Sequence, residues 1–499
     1  MATTLATPGV YIEEKSSFGS SVVPVQTAIP AFIGYTSKAT RGSKDLTNIP
    51  TKISSLGQFE ELFGGAPATK FNIESDDSAV GFKLSFVEET KFLLHSSMRL
   101  FYANGGADCY IVSVGGYDEK IDAAKLNDPK GGGLTALEKF MEPTIIVIPD
   151  AILLDENDCY SLQAAMLQHC GYKLKNRFAI LDVYEGAKER TFDDDDAIDK
   201  FRNGVGSNFL QWGASYYPFL NTTIVSKSEI DFTRIANLDG LSEVLSKEVA
   251  ENLEADNITA ARAEGITAEI DKIPDTTEAD AINSLNSTLT VISPSLNLIL
   301  AEVSEMLNVL PPSPAMAGAY AMVDNQASVA QSPANISLGS VIAPVVNINN
   351  DNQEELNLPL NGKAVNAIRT FQGKGVLVWG ARTLEGNSKD YRYVSVRRTM
   401  TFLEQSIKAA AEAFVFAPNN ATTWSTLRAT VSSFLTNQWQ SGLLAGQSAD
   451  DAFTVDIGLG ATMTPNDILD GILKMTVKVA ITRPAEFIVI TFEQQQQKS

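Results

Sequence analysis

The chain is 499 residues long, enough for about three domains, and its 44% hydrophobic and 20% charged residues are ordinary for a large globular protein. Its 60 acidic and 39 basic residues give a formal net charge of −21, so most of the surface repels a phosphate backbone and nucleic-acid binding is not expected. No apolar run reaches the ~20 residues needed to span a bilayer, which argues against direct membrane insertion.

The first residues, MATTLATPGV, carry neither a basic n-region nor an apolar h-region, so synthesis in a cytoplasm is expected. Gly9-Val10-Tyr11-Ile12-Glu13 reads as a short strand, set apart by the Ser16–Ser21 stretch from the next apolar run, Ala28–Tyr35. From Phe101 to about Leu220, strand-like runs at Cys109–Val114, Thr144–Pro149 and Phe178–Val183 alternate with helical spacing, as at Leu162, Ala165, Met166 and His169. An α/β layer with buried, parallel strands is predicted. Cys109, Cys159 and Cys170 are odd in number and spaced for neither a disulfide framework nor a zinc site, so they read as reduced core thiols.

Residues 228–310 hold sixteen acidic and four basic residues and no aromatic after Phe232. They read as polar helices, such as Leu241–Leu253 and Leu296–Val309, in an inserted solvent-facing module, the alternative being a disordered loop. Apolar patches return at Asn366–Arg369 and Val376–Trp379, followed by helices at Phe402–Phe416 and Trp424–Gln440. In the second helix Trp424, Leu427, Val431, Phe434 and Leu435 form one stripe, with Asn420 or Thr422 to cap its start and Gly442 its end. Thr464-Pro465 suits the start of a short helix ending near Gly471. An alternating strand follows over Lys474–Thr482, with Met475, Val477, Val479 and Ile481 on one face. Past Arg483-Pro484 the run Phe487-Ile488-Val489-Ile490-Thr491-Phe492 is apolar on both faces and stops in four glutamines, Gln494–Gln497. Such a strand needs covering, so it and Val10–Ile12 are expected to add to another subunit's sheet, the alternative being pairing inside their own domain.

The motifs that could carry chemistry do not complete. Gly373-Lys374-Gly375 is followed by Val376 and a strand where a phosphate loop requires Ser or Thr and a helix. Gly204-Val205-Gly206 lacks the third glycine of a dinucleotide fingerprint, and Asp450 stands where a nucleophile elbow at Ser448 would close on glycine. His95 and His169 are the two histidines; His169 adjoins Cys170 and reads as a core residue beside a buried thiol. Asp193–Asp196 lacks the alternating ligands and glycine of a calcium loop and reads as a solvated charge run. Arg392, Arg397 and Arg398 suit an acidic partner or a salt-bridged strand face. No catalytic residue, cofactor site or metal site is assigned.

The segment Val309-Leu310-Pro311-Pro312-Ser313-Pro314-Ala315-Met316-Ala317-Gly318-Ala319-Tyr320-Ala321-Met322-Val323-Asp324, continuing to Gln331–Asn335, closely resembles the tail sheath proteins of contractile phages and phage-tail-like injection systems. Pro8–Glu14, Thr27–Gly34, Asn104–Tyr110, Ala214–Pro218, Asn366–Thr383 and Pro484–Ile488 resemble the same family in the same order. The chain departs from it in the acidic 228–310 segment, which is more similar to the extracellular injection systems, and in Pro314, where phage relatives usually carry glycine.

The resemblance implies a structural subunit, not an enzyme, that stacks in hexameric rings around an inner tube and contracts to drive the tube through a target envelope. Its partners would be further copies of itself, the tube protein, and baseplate and terminal cap proteins. It would assemble in a bacterial cytoplasm within a particle that is then released. The implied fold is multidomain α/β and α+β. Residues 1–24 are an N-terminal arm; 25–100 and 361–483 build an inner sheath domain; 101–227 form an outer α/β domain with insertion 228–310 and return segment 311–360; 484–499 are a C-terminal arm. The arms join strands of neighbouring subunits through Val10, Tyr11 and Ile12 and through Phe487, Ile488, Val489, Ile490, Thr491 and Phe492. A helix of the C-terminal part faces the tube, here assigned to Trp424–Gln440 with Arg428, Gln438 and Gln440 outward. A cytoplasmic α/β enzyme without a recognisable site, and a non-contractile capsid or baseplate protein, are the competing readings.

Overall fold

The computed structural model describes residues 22–76 and 81–490; Val10, Tyr11 and Ile12, with Thr491 and Phe492, lie outside the described residues. Two compact units are present, one of residues 26–398 and 483–490, the other of residues 22–25 and 399–482.

In the larger unit lie β1 (Pro30–Gly34), β2 (Thr51–Ile53), the hairpin β3 (Phe71–Ser75) and β4 (Phe82–Phe86), β5 (Cys109–Ser113), β6 (Ile145–Val147), β7 (Phe178–Asp182) and β8 (Gly213–Tyr217), and of these the apolar runs β1, β5, β6, β7 and β8 are buried along their whole length. Further along lie β9 (Leu220–Thr222), β10 (Val309–Leu310), β11 (Ile336–Ser337), β12 (Val341–Pro344), β13 (Asn366–Phe371) and β14 (Gly375–Val378). Among the described residues nine of these form one sheet in the order β11-β14-β13-β8-β7-β6-β1-β5-β2, and the run from β13 to β5 is parallel throughout. Both faces are covered, as a doubly wound sheet requires, by two large apolar clusters. The predicted parallel layer is therefore present and larger than expected.

The expected boundaries at 100/101 and 360/361 do not separate domains. Strand β1 pairs with both β5 and β6, and β13, from the far end of the chain, pairs with β8. Strands apolar on both faces need a neighbour on each side, and those neighbours come from sequence-distant segments that local pattern cannot assign.

The segment that carries the family resemblance folds as β10 and a helix, Ser313–Gln326. Besides a helix at Leu56–Phe63, the larger unit's main helices are α1 (Leu94–Ala103), α2 (Glu156–Gln168), α3 (Ala197–Gly204), α4 (Leu238–Glu254), α5 (Ala260–Ile270), α6 (Ala279–Ile292), α7 (Pro294–Leu307), α8 (Ser313–Gln326) and α9 (Asn350–Asn357). Helices α1 and α8 pack against each other, and the small residues of the motif set how close they come. A Cβ on Gly318 would stand 2.5 Å from the Phe101 carbonyl oxygen. At the start of α8, Asp182 accepts from Ser313 N at 2.9 Å and Ser313 Oγ at 2.5 Å. At its end, Asp324 takes both terminal nitrogens of Arg398, at 2.9 and 2.6 Å.

Residues 228–310 do form helices, α4 to α7, as the helical reading of the acidic segment predicts. Their core is shared: Leu241, Leu245, Ile270, Leu289, Leu296 and Ile299 cluster with Phe71, Ile73, Phe82 and Leu84 of the β3–β4 hairpin. The two ends of the module meet at Asn308, whose carbonyl accepts from Thr222 N at 2.9 Å and whose Oδ1 accepts from Val225 N at 2.8 Å.

Helix α10 (Val394–Glu412) begins in the larger unit and continues into the smaller one, eight residues before its expected start. The smaller unit then has α11 (Ala421–Gln440), strand β15 (Phe453–Ile457), α12 (Pro465–Leu469) and strand β16 (Met475–Val479). Leu427, Thr430, Val431, Phe434 and Leu435 are the buried face of α11, Asn420 caps its start, and Gly442 follows its end at φ +82°. Thr464 caps α12 reciprocally with Asp467, and Pro465 occupies the first turn. Strand β16 alternates along its length and pairs antiparallel with β15.

Candidate assembly surfaces

One largely buried ion pair anchors the C-terminal segment on the larger unit. Glu486 accepts from Arg382 Nε at 2.9 Å and Nη2 at 2.6 Å, from Asn357 Nδ2 at 3.0 Å and from Tyr393 OH at 3.1 Å. Burial works against the charged carboxylate, and the Arg382 and Asn357 hydrogen bonds outweigh it, so the group sits below the ordinary Glu value. Immediately beyond this anchor Phe487, Ile488, Val489 and Ile490 are 68%, 79%, 90% and 69% exposed and belong to no strand. Over 487–490 the expected terminal strand is thus unformed, since among the described residues no strand edge pairs with it. Sequence reasoning missed Glu486 and Arg382; the signal was there, since Glu486 is the one acid between Asp470 and Glu493 and stands in an apolar run.

In the smaller unit β15 and β16 make a sheet of two strands among the described residues. Such a ribbon has little intrinsic stability, and among the described residues no third strand pairs with β15. On α11, Arg428 and Gln440 are exposed and Gln438 is half-buried. Arg428 is already engaged, its Nη2 donating to the Ile457 carbonyl at 2.5 Å, so it spans from the helix to β15.

The residues weighed for chemistry have structural employment. Gly373 and Gly375, at φ +76° and +78°, make the tight turn joining β13 to β14. Ser448 caps a short helix with Asp451. His169 is buried and contacts Arg177 at 3.0 Å, and burial pushes its ring well below the ordinary His value, to about 3. His95 is buried with Glu60 at 3.4 Å. The acidic run is only partly solvated: Asp196 is fully buried, caps α3 and pairs with Arg190 at 2.8 Å. Arg397 and Arg398 lie on α10, not on a strand; Arg397 stacks 4.2 Å from the Trp212 ring and Arg398 serves Asp324. Where the parallel sheet reverses its winding, between β1 and β6, the crevice that such sheets offer to ligands is taken by Asp150. Its oxygens accept from Tyr35 N at 3.0 Å and Leu93 N at 2.8 Å.

Residues 387–495 match the family described as the phage tail sheath C-terminal domain. The fold is also similar, over 99% of both chains, to the sheath of an extracellular contractile injection system, the PVC sheath complex in its contracted state, at 27% identity and a TM-score of 0.59. Residues 387–495 thus belong to that family, and the whole chain has the fold of a contractile sheath subunit. The helical sheath of the anti-feeding prophage, also contracted, matches this chain at 26% identity and a TM-score of 0.61, over 99% of this chain and 100% of that one. A chain of the six-fold symmetrised anti-feeding prophage baseplate matches at 25% identity and 0.59, with the same coverage. No curated protein matches by sequence.

Proposed function

We propose that the sheath protein stacks in hexameric rings around an inner tube, between a baseplate and a terminal cap, and that the rings stay tied through strand exchange while the bodies move. The observation that carries this reading is the pairing of an anchored, exposed apolar segment, Phe487–Ile490, with an open two-stranded ribbon, β15–β16. The segment of one subunit, continued by Thr491 and Phe492, adds to the ribbon of another, and Val10, Tyr11 and Ile12 do likewise. Added backbone hydrogen bonds hold a partner directionally, whereas rigid side-chain interfaces can break and re-form. The free energy of contraction is stored in an extended lattice and released by repacking, so no nucleotide chemistry is needed.

The unit of residues 399–482 lies toward the tube, with Gln438 and Gln440 on α11 facing it and Arg428 at the edge of that surface. The acidic module α4–α7 lies outward, where its charge is solvated. Assembly takes place in a bacterial cytoplasm and the particle is then released. Electron microscopy of the purified chain tests the reading: striated hollow cylinders are expected. Uniform monomers under all assembly conditions would sink it.

A further inference from the structure

An apolar cavity of about 250 Å³ lies between the end of β4, the end of α7 and the start of β10, with Phe86, Lys91, Leu93, Ala187, Phe219, Met306 and Val309 in its lining. Its one charged lining residue is Lys91. The ammonium sits 3.9 Å from the centroid of the Phe86 ring, and among the described residues no carboxylate pairs with it. Burial holds the group below the ordinary Lys value, with Glu88 acting on it only at longer range.

The surroundings add positive charge, unlike the rest of this acidic chain. Beside the cavity Arg99 pairs with Glu229 at 2.8 Å, while Arg234 donates only to backbone carbonyls, among them Pro67 at 3.1 Å. The Lys70 ammonium donates to the Thr233 carbonyl. Asp231, a further acid close by, has its Oδ1 taken by Thr233 N at 2.8 Å. A buried cation without a counter-ion is costly, and an anion arriving with apolar bulk would remove that cost and fill the space together.

We propose that this cavity binds a small carboxylate bearing an apolar tail, with the carboxylate on Lys91 Nζ and the tail among Phe86, Phe219, Met306 and Val309. A single ammonium suits a singly charged head, whereas a phosphate would call for more donors than the lining supplies. The inference stands independently of the sheath assembly, since every lining residue belongs to one subunit.

Octanoate is a suitable probe for calorimetric titration of the purified full-length protein at pH 7. One saturable site per chain is expected, with acetate and 1-octanol each bound at least tenfold more weakly. Lys91→Met should weaken octanoate at least tenfold while leaving the circular dichroism spectrum unchanged. Ala187→Phe, which fills the cavity and keeps the ammonium, should abolish binding, and it serves as the second variant if the first misfolds. Absence of saturable binding to the wild-type chain, or equal affinity in either folded variant, would overturn the proposal.

Discussion

Arg382 and Glu486 form a two-pronged ion pair across 104 residues of sequence, with the arginine side chain only 1% exposed. The pair fixes the point at which the C-terminal segment departs, so that four apolar side chains stand in solvent without pulling the chain loose. Neutralising Glu486 as Gln would leave a buried guanidinium without its counter-charge, at a cost of about 2 kcal/mol. Glu486→Gln should therefore lower the melting temperature and reduce cylinder yield; an unchanged melt would show that the clip contributes nothing. The pH dependence has a definite sign. The folded carboxyl lies below its ordinary 4.5, so its stabilisation is present above that value and lost as pH falls through the lower folded one.

Val489 is 90% exposed, so its replacement should leave the single subunit intact, within about 0.5 kcal/mol. Val489→Pro removes one donor from the ladder that the segment would form on a neighbour. The expected result is a normal melting curve with few or no cylinders in negative stain, and truncation after Arg483 should act more strongly. Contraction-competent sheaths from the truncated chain would show that the segment is no tether.

Removing the acidic module by itself should fail for a reason that lies in its core. Excising 226–307 would uncover Phe71, Ile73, Phe82 and Leu84, four side chains worth roughly 2 kcal/mol each when buried. Aggregation is expected from that deletion. Joining Val225 to Asn308 by a short Gly-Ser linker, and also closing Lys70 onto Val87 where their backbones already meet at 2.9 Å, should restore cylinders. If the double deletion still yields no cylinders while remaining soluble and folded, the module belongs to the assembly interface.

Asp182, buried beneath the start of α8, supplies the opposite pH dependence to Glu486. Burial raises its carboxyl to about 7, against the lowering effect of the Ser313 hydrogen bonds. A raised folded value means that stability is present below the ordinary 3.8 and declines as pH rises toward about 7, by at most about 1.4 kcal/mol per pH unit. Asp182→Asn removes this titration. Urea unfolding at pH 5 and pH 8 should show the variant gaining on the wild-type protein at the higher pH; a constant difference would mean that Asp182 titrates normally.

Much of this fold is local and was legible in the chain. The caps at Asn420 and Thr464, the buried stripe of α11, the alternation of β16 and the apolar runs of β5, β6 and β7 each follow from residues within one or two turns or strands. The family motifs were legible too, because Gly318 and its small neighbours record a close helix approach that few other residues permit. Strand neighbours were not legible: β1 lies between β5 and β6, and β8 beside β13, because a buried apolar strand specifies that it needs partners without specifying which. The same holds for single charges. Glu486 reads as one acid in an apolar tail, and only the fold brings Arg382, Asn357 and Tyr393 around it, since desolvation and hydrogen bonding act through space rather than along the chain.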